Sequence, residues 1–388
     1  MLKYILFLLL VLFAAFAVSS CSNDEDDSHP LPPAPALINV TFENARIIEV
    51  DAAHHWALLL HDRASSSGTA IELVDVESRS VITSRILDYY DVYDIKFVNA
   101  TEGCFAGRPH GNIGYSVQFF SLPGLTLGTR IMTADTSGEP GTLAVDSTGG
   151  FVYYSHAGGG DKDAIYKIRV VSKTIVDADN DGVAPFALDN DLVNGLLNHP
   201  AKIFYDRDSQ KLVVANLGDN YVSIINASLW TTLNRAADLT FPIAGTTHLS
   251  TAGGSVSDAH ATIMAYGAGV YVFAGMDDND SYLGRFGVNS VGMDLIQTFP
   301  GRSWRLSNGN IRIHPREDIV SVFVVEEDTG GVAIGQYRLN NLVEVASSPY
   351  RTRYVPDSTV TTFGLDVQSD RLYVADGETP RLEILNIE

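Results

Sequence analysis

The sequence predicts an all-β fold, a seven-bladed β-propeller of four-stranded blades closed by an N-terminal strand that completes the last blade. Short runs of apolar–polar alternation, punctuated by Gly, Asp and Asn, persist from Asn39 to the C-terminus, and amphipathic helical windows are almost absent. A two-strand unit also recurs. It is clearest in Lys211-Leu-Val-Val-Ala-Asn-Leu-Gly-Asp-Asn-Tyr-Val-Ser-Ile-Ile-Asn226, and degenerate copies are Trp56–His61 with Ala70–Asp75, Phe151–His156 with Ala164–Ile168, and Arg371–Asp376 with Arg381–Leu385.

Aligning the second strand of each unit gives starts near Trp56, Gly103, Phe151, Leu212, Val270, Ile319 and Arg371, a spacing of about 45 to 60 residues that suits propeller blades. An inner strand precedes each: Arg46–Val50, Asp94–Val98, Thr142–Asp146, Lys202–Tyr205, Ala261–Ala265, Asn310–His314 and Thr362–Val367. The last unit stops at Glu388, straight after its third strand. Ala36-Leu-Ile-Asn-Val-Thr-Phe42 can supply the missing outer strand, which joins both chain ends in one sheet and removes an exposed edge.

Leu212–Ile225, together with Leu372-Tyr-Val-Ala-Asp376 and Leu382-Glu-Ile-Leu385, resembles the repeat of the YVTN and lactonase-like β-propeller superfamily. That resemblance implies the propeller fold. It leaves function open, since its members include lactonases, metal-handling periplasmic proteins and binding proteins.

Three segments are expected: 1–20 as a signal peptide, 21–36 as a tether and 37–388 as the propeller. Residues 1–20 carry Lys3 and then an apolar run, Ile5 to Val18, too short for a comfortable span. Val18-Ser19-Ser20-Cys21 resembles the bacterial lipobox, which implies acylation of Cys21. Acyl chains contribute roughly 0.8 kcal/mol per buried methylene, so two or three hold a domain on a membrane without a spanning helix. Ser22 rather than Asp after that cysteine implies an outer-membrane lipoprotein. The acidic run Asn23–Asp27 resembles the surface-export signal of Bacteroidetes lipoproteins, or is a solvated tether, so the domain faces the periplasm or the cell surface. Pro30, Pro32, Pro33 and Pro35 then make the spacer stiff and extended.

Removing residues 1–20 leaves 25 basic against 47 acidic side chains, a net charge of −22, which argues against nucleic acid as a partner. With Cys21 acylated, Cys104 is alone and no intrachain disulfide can form. The local signatures of haem attachment, sialidases, quinoproteins, Trp-Asp repeats, Gly-x-Ser-x-Gly hydrolases and phosphate loops are missing. No Glu, His and Arg arrangement maps onto lactonase catalysis.

Candidate sites remain. Asp177, Asp179 and Asp181, at alternate positions before Gly182, match the start of a calcium loop, although Leu188 stands where a full EF-hand has its bidentate Glu. The alternative is a polar turn in an acidic protein. His61, His110 and His156 follow second strands, and His199 and His260 immediately precede inner strands. Both loop classes open on one face, so these imidazoles could ligate zinc there, or could simply be solvated. The tract Asp88–Asp94, with Tyr90, and Trp304 before the sixth blade reach the same face and suit a glycan or peptide, or else pack between blades. The expected function is a lipid-anchored, non-catalytic ligand- or protein-binding module of the envelope. A metal-handling propeller and a lactonase-like hydrolase are the second and third readings.

Overall fold

The computed structural model describes residues 36–62, 68–111, 114–133, 138–158, 163–177, 188–189, 197–207, 209–216, 221–227, 239–242, 262–267, 270–277, 280–287, 295–300, 303–304, 311–314, 319–325, 332–345, 360–376 and 379–386. Cys21, Asp179, Asp181 and His260 lie outside the described residues. The described strands make a β-propeller arrangement of small antiparallel sheets, seven in number.

Apart from β1 (Ala36–Asn39), the chain builds these sheets in sequence. Sheet one is β2 (Ala45–Asp51), β3 (Trp56–Asp62), β4 (Thr69–Asp75) and β5 (Ser80–Leu87); sheet two is β6 (Tyr89–Asn99), β7 (Glu102–Pro109), β8 (Ser116–Ser121) and β9 (Thr126–Met132). Sheet three is β10 (Glu139–Val145), β11 (Phe151–Ala157) and β12 (Ala164–Arg169), with β13 (Thr174–Ile175) and β14 (Leu188–Asp189) both on β12. Sheet four is β15 (Pro200–Asp206), β16 (Lys211–Asn216), β17 (Tyr221–Asn226) and β18 (Leu239–Pro242). Sheet five is β19 (Thr262–Gly267), β20 (Val270–Asp277), β21 (Asp280–Gly287) and β22 (Leu295–Pro300). In sheet six, β23 (Ser303–Trp304) and β24 (Ile311–His314) pair opposite ends of β25 (Ile319–Val325), whose other edge takes β26 (Val332–Arg338). Sheet seven is β27 (Val360–Asp366), β28 (Arg371–Asp376) and β29 (Arg381–Asn386), and β1 pairs β29 through Ala36↔Ile384 and Asn39↔Arg381. Both ends of the described chain thus share one sheet.

The first strands of successive sheets touch in the order β2, β6, β10, β15, β19, β24, β27, and β27 touches β2 again. Middle strands such as β3, β11 and β16 are largely apolar on both faces because both faces are buried. In Trp56-Ala-Leu-Leu-Leu-His-Asp62 the two-residue period sends Leu58 and Leu60 toward sheet two, where they pack with Tyr89, Val92 and Phe105. Ala57 and Leu59 go the other way, to Tyr373, Ala375 and Ile38 of sheet seven. Similar seams join sheets two and three around Phe119 and Tyr154, three and four around Tyr153 and Val214, and five and six around Val272 and Tyr337. Burying one such Leu or Phe contributes about 1.5–3 kcal/mol, so the seams hold the sheets face to face.

Four turns after first strands share one device, a side-chain carbonyl or carboxylate that accepts backbone N–H groups. Asp51 accepts from Ala53 (3.0 Å), Asn99 from Thr101 (2.9 Å), Asp146 from Gly150 (2.7 Å) and Asp366 from Gln368 (2.9 Å). At the end of β24, His314 Nε2 lies 2.9 Å from Asp370 in the turn of sheet seven. These turns lie at the end of each sheet opposite the one where the first strand begins.

Candidate functional site

The end where the first strands begin collects the polar and aromatic side chains. Register places His61 beside Ala45, His156 beside Pro140, and Asn216 beside Pro200, next to His199. His110 follows Pro109, which pairs with Tyr89 at the start of β6. Four of the five candidate histidines therefore occupy the equivalent end of four consecutive sheets.

Their surroundings differ. His61 is buried: its Nδ1 donates to the Glu43 carbonyl at 3.1 Å, and its Nε2 lies 3.4 Å from the buried carboxylate of Glu72. Glu72 also accepts from Thr41, from the N–H at 2.9 and 3.1 Å and from the hydroxyl. His61 and Glu72 thus fix the connection between β1 and β2. His156 is buried against Tyr115 (centroids 5.3 Å apart) and Tyr154 (6.5 Å). His199 is half-buried with φ at +52°, and its N–H donates to the buried Asp163 at 2.9 Å. His110 alone stacks on an exposed ring, that of Tyr90, at 3.9 Å between centroids. Among the described residues, no three His, Cys, Asp or Glu side chains come together to hold a metal ion.

The tyrosine tract belongs to β6 itself rather than to the loop before it. Bulges between Tyr89 and Asp91 and between Val92 and Asp94 divide it. Tyr89 is buried, with its hydroxyl 3.2 Å from Ser116 Oγ, whereas Tyr90 is 51% exposed. The Arg108 guanidinium lies 5.9 Å from the Tyr90 centroid, in cation–π range. Beside this stack the Tyr93 hydroxyl donates to Asp91 at 3.4 Å, and Arg46 pairs with Asp62 at 3.2 Å. Burial raises the Tyr93 pKa, and the Asp91 carboxylate raises it further, so the phenol stays a donor. Burial likewise raises the Asp62 carboxyl, against the opposing pull of Arg46. Sheets one and two thus present a Tyr90–His110–Arg108 stack next to two carboxylates, Asp62 ion-paired with Arg46 and Asp91 hydrogen-bonded by Tyr93. Trp304 lies in β23, and Asp177 follows β13.

A second polar group lies along the first strands, deeper than this mouth. Lys96 Nζ bridges Glu49 of β2 at 3.0 Å and Asp94 at 3.4 Å. Asp94 accepts the N–H of Ile95 at 2.8 Å and that of Leu143 in β10 at 2.8 Å. Thr142 Oγ1 accepts the N–H of Ile203 in β15 at 3.1 Å. Arg312 donates from Nη1 to the Ile311 carbonyl (3.1 Å) and from Nη2 to the Ile48 carbonyl (3.3 Å). Lys202, half-buried on β15, has its pKa lowered by burial, with Lys96 and Arg312 acting in the same direction against Asp94.

No family model matches the chain, and no curated protein matches it. Solved structures do share its fold. U3-55K is similar with a TM-score of 0.60 at 11% identity, over 91% of this chain and 98% of that one. Chaetomium thermophilum Raptor is similar with a TM-score of 0.58 at 8% identity, over 91% of this chain and 28% of that one. At such identities the likeness is one of fold alone.

Neither Glu72 nor the cations of the first strands stood out in the sequence. Glu72 meets His61 from the adjacent strand and Thr41 from the β1–β2 connection, and Lys96 and Arg312 reach groups of sheet one, contacts that spacing along a strand does not reveal.

Proposed function

We propose that this chain is a lipid-anchored, seven-bladed β-propeller that serves the cell envelope as a non-catalytic binding module, meeting its ligand or protein partner on the end where the first strands begin. The Tyr90–His110–Arg108 stack carries this reading. It joins an imidazole to an exposed tyrosine ring and an unburied guanidinium, and tyrosine and arginine are enriched where proteins bind partners. The rigid sheets hold the stack in place, as binding loops on a scaffold require. Seven sheets whose first strands touch in cyclic order support the blade count, and the lipobox-like Val18–Cys21 supports the anchor.

Site-specific photo-crosslinking in cells tests the binding face. A photoreactive residue at Tyr90 should give a discrete adduct, whereas one at exposed Glu77, in a turn at the opposite end of sheet one, should not. Equal labelling from both positions, or none from Tyr90, would overturn the assignment.

A further inference from the structure

The first strands bring three cations to nearly one level. Counted back from the residue that ends each strand, Arg312 stands two residues before His314, Lys96 three before Asn99 and Lys202 four before Asp206. At about 3.3 Å per residue they fall within about 7 Å of one another along the strand direction. Among the described residues, Lys96 alone of the three meets carboxylates, Glu49 and Asp94. Arg312 spends two donors on neutral carbonyls, and the Lys202 ammonium has no hydrogen bond or ion pair with a described residue. Asp94 attracts Lys202 but is already ion-paired with Lys96.

A half-buried ammonium without an ion-pair partner, within electrostatic reach of Arg312 and of an already paired Lys96, is costly unless something neutralises it. Among the described residues these three cations meet two carboxylates, Glu49 and Asp94, and the one positive charge left over stands out in a chain that is strongly acidic, at −21 overall. An oxyanion would supply the missing charge, with Arg312 presenting a planar fork and Lys202 a point charge. We infer that the first strands of sheets two, four and six hold a binding site for a carboxylate or phosphate group, with Lys202 and Arg312 as its cationic contacts. This site uses none of the residues of the mouth, so it stands or falls independently of that reading.

Thermal melting of the lipid-free domain in inorganic phosphate and in acetate, each balanced with sodium chloride to constant ionic strength, tests the inference. At least one anion should raise the melting temperature in a saturable way relative to chloride, and the stronger response identifies phosphate or carboxylate as the recognised group. Lys202→Met should melt in chloride at or above the parent, since it removes a buried charge, and should lose the response; Lys202→Arg should keep it. No anion-specific rise in the parent, or an undiminished rise in Lys202→Met, would overturn the site. Should Lys202→Met fail to fold, calorimetric titration of Arg312→Gln with the responding anion decides. Affinity tenfold or more below the parent is expected, and unchanged affinity would contradict the proposal.

Discussion

Arg312 Nη2 donates to the Ile48 carbonyl at 3.3 Å, linking two first strands that are 264 residues apart in sequence. In the cyclic order of contacts these strands flank β27, so the bond ties sheets one and six across the inner edge of sheet seven. Beside it, a Cβ built on Gly364 of β27 would stand 2.6 Å from Ile48 Cγ2 and 3.0 Å from Val50 Cγ2. Closure therefore depends on close approach of backbone to side chain at one position, and glycine permits it.

Gly364→Ala should destabilise the domain by about 1–3 kcal/mol through overpacking at this junction. The denaturant midpoint should fall with little change in the slope of the transition. An unshifted midpoint would mean that sheets one and seven do not meet there as described.

Lys167 gives the stability a pH dependence. Burial lowers its pKa to about 8, against the attraction of Asp146. Its ammonium donates to the Ala227 carbonyl at 3.0 Å and lies 4.4 Å from the Phe151 ring centroid. An unfolded lysine titrates near 10.4, so the folded state binds the proton less tightly than the unfolded one. The resulting penalty is fully present below about pH 8 and is relieved as pH rises toward about 10.4. Unfolding free energies measured from pH 7 to 10 should therefore rise for the parent relative to Lys167→Met; parallel profiles would contradict the assignment.

The anchor proposal predicts that Cys21→Ala releases the domain from the membrane fraction. Among the described residues no helix is long and apolar enough to span a membrane. Unchanged fractionation, with an unlipidated mature terminus by mass spectrometry, would contradict it.

The calcium proposal for Asp177, Asp179 and Asp181 predicts that millimolar calcium raises the melting temperature, and that Asp179→Ala abolishes the rise. A parent protein indifferent to calcium would leave the acidic run as a polar turn.

Local patterns made the strands legible. All seven first strands overlap the segments expected from alternation, and the second strands begin within one residue of the expected starts. The tyrosine tract was less legible, because bulges place Tyr89 and Tyr90 in opposite environments, one buried and one exposed. The histidines were legible in position along the strands but not in environment. His61 meets Glu72 from the neighbouring strand and His156 meets Tyr115 from sheet two, and such contacts depend on register and on the seams rather than on spacing. Lys202 and Arg312 gave no signal for the same reason: each is one charged residue in an apolar run, and only the ring of first strands brings them together.

The central claim is a single ring whose two ends share one sheet, because that closure places the mouth residues on one face. Engineered cysteines at Leu37 and Glu383, which pair across β1 and β29, test it directly. In Leu37→Cys/Glu383→Cys, oxidation should form an intramolecular disulfide and raise the melting temperature, while each single variant stays monomeric and unchanged. Thiols that remain reduced under the same oxidation, or that form only intermolecular dimers, would contradict the closed ring.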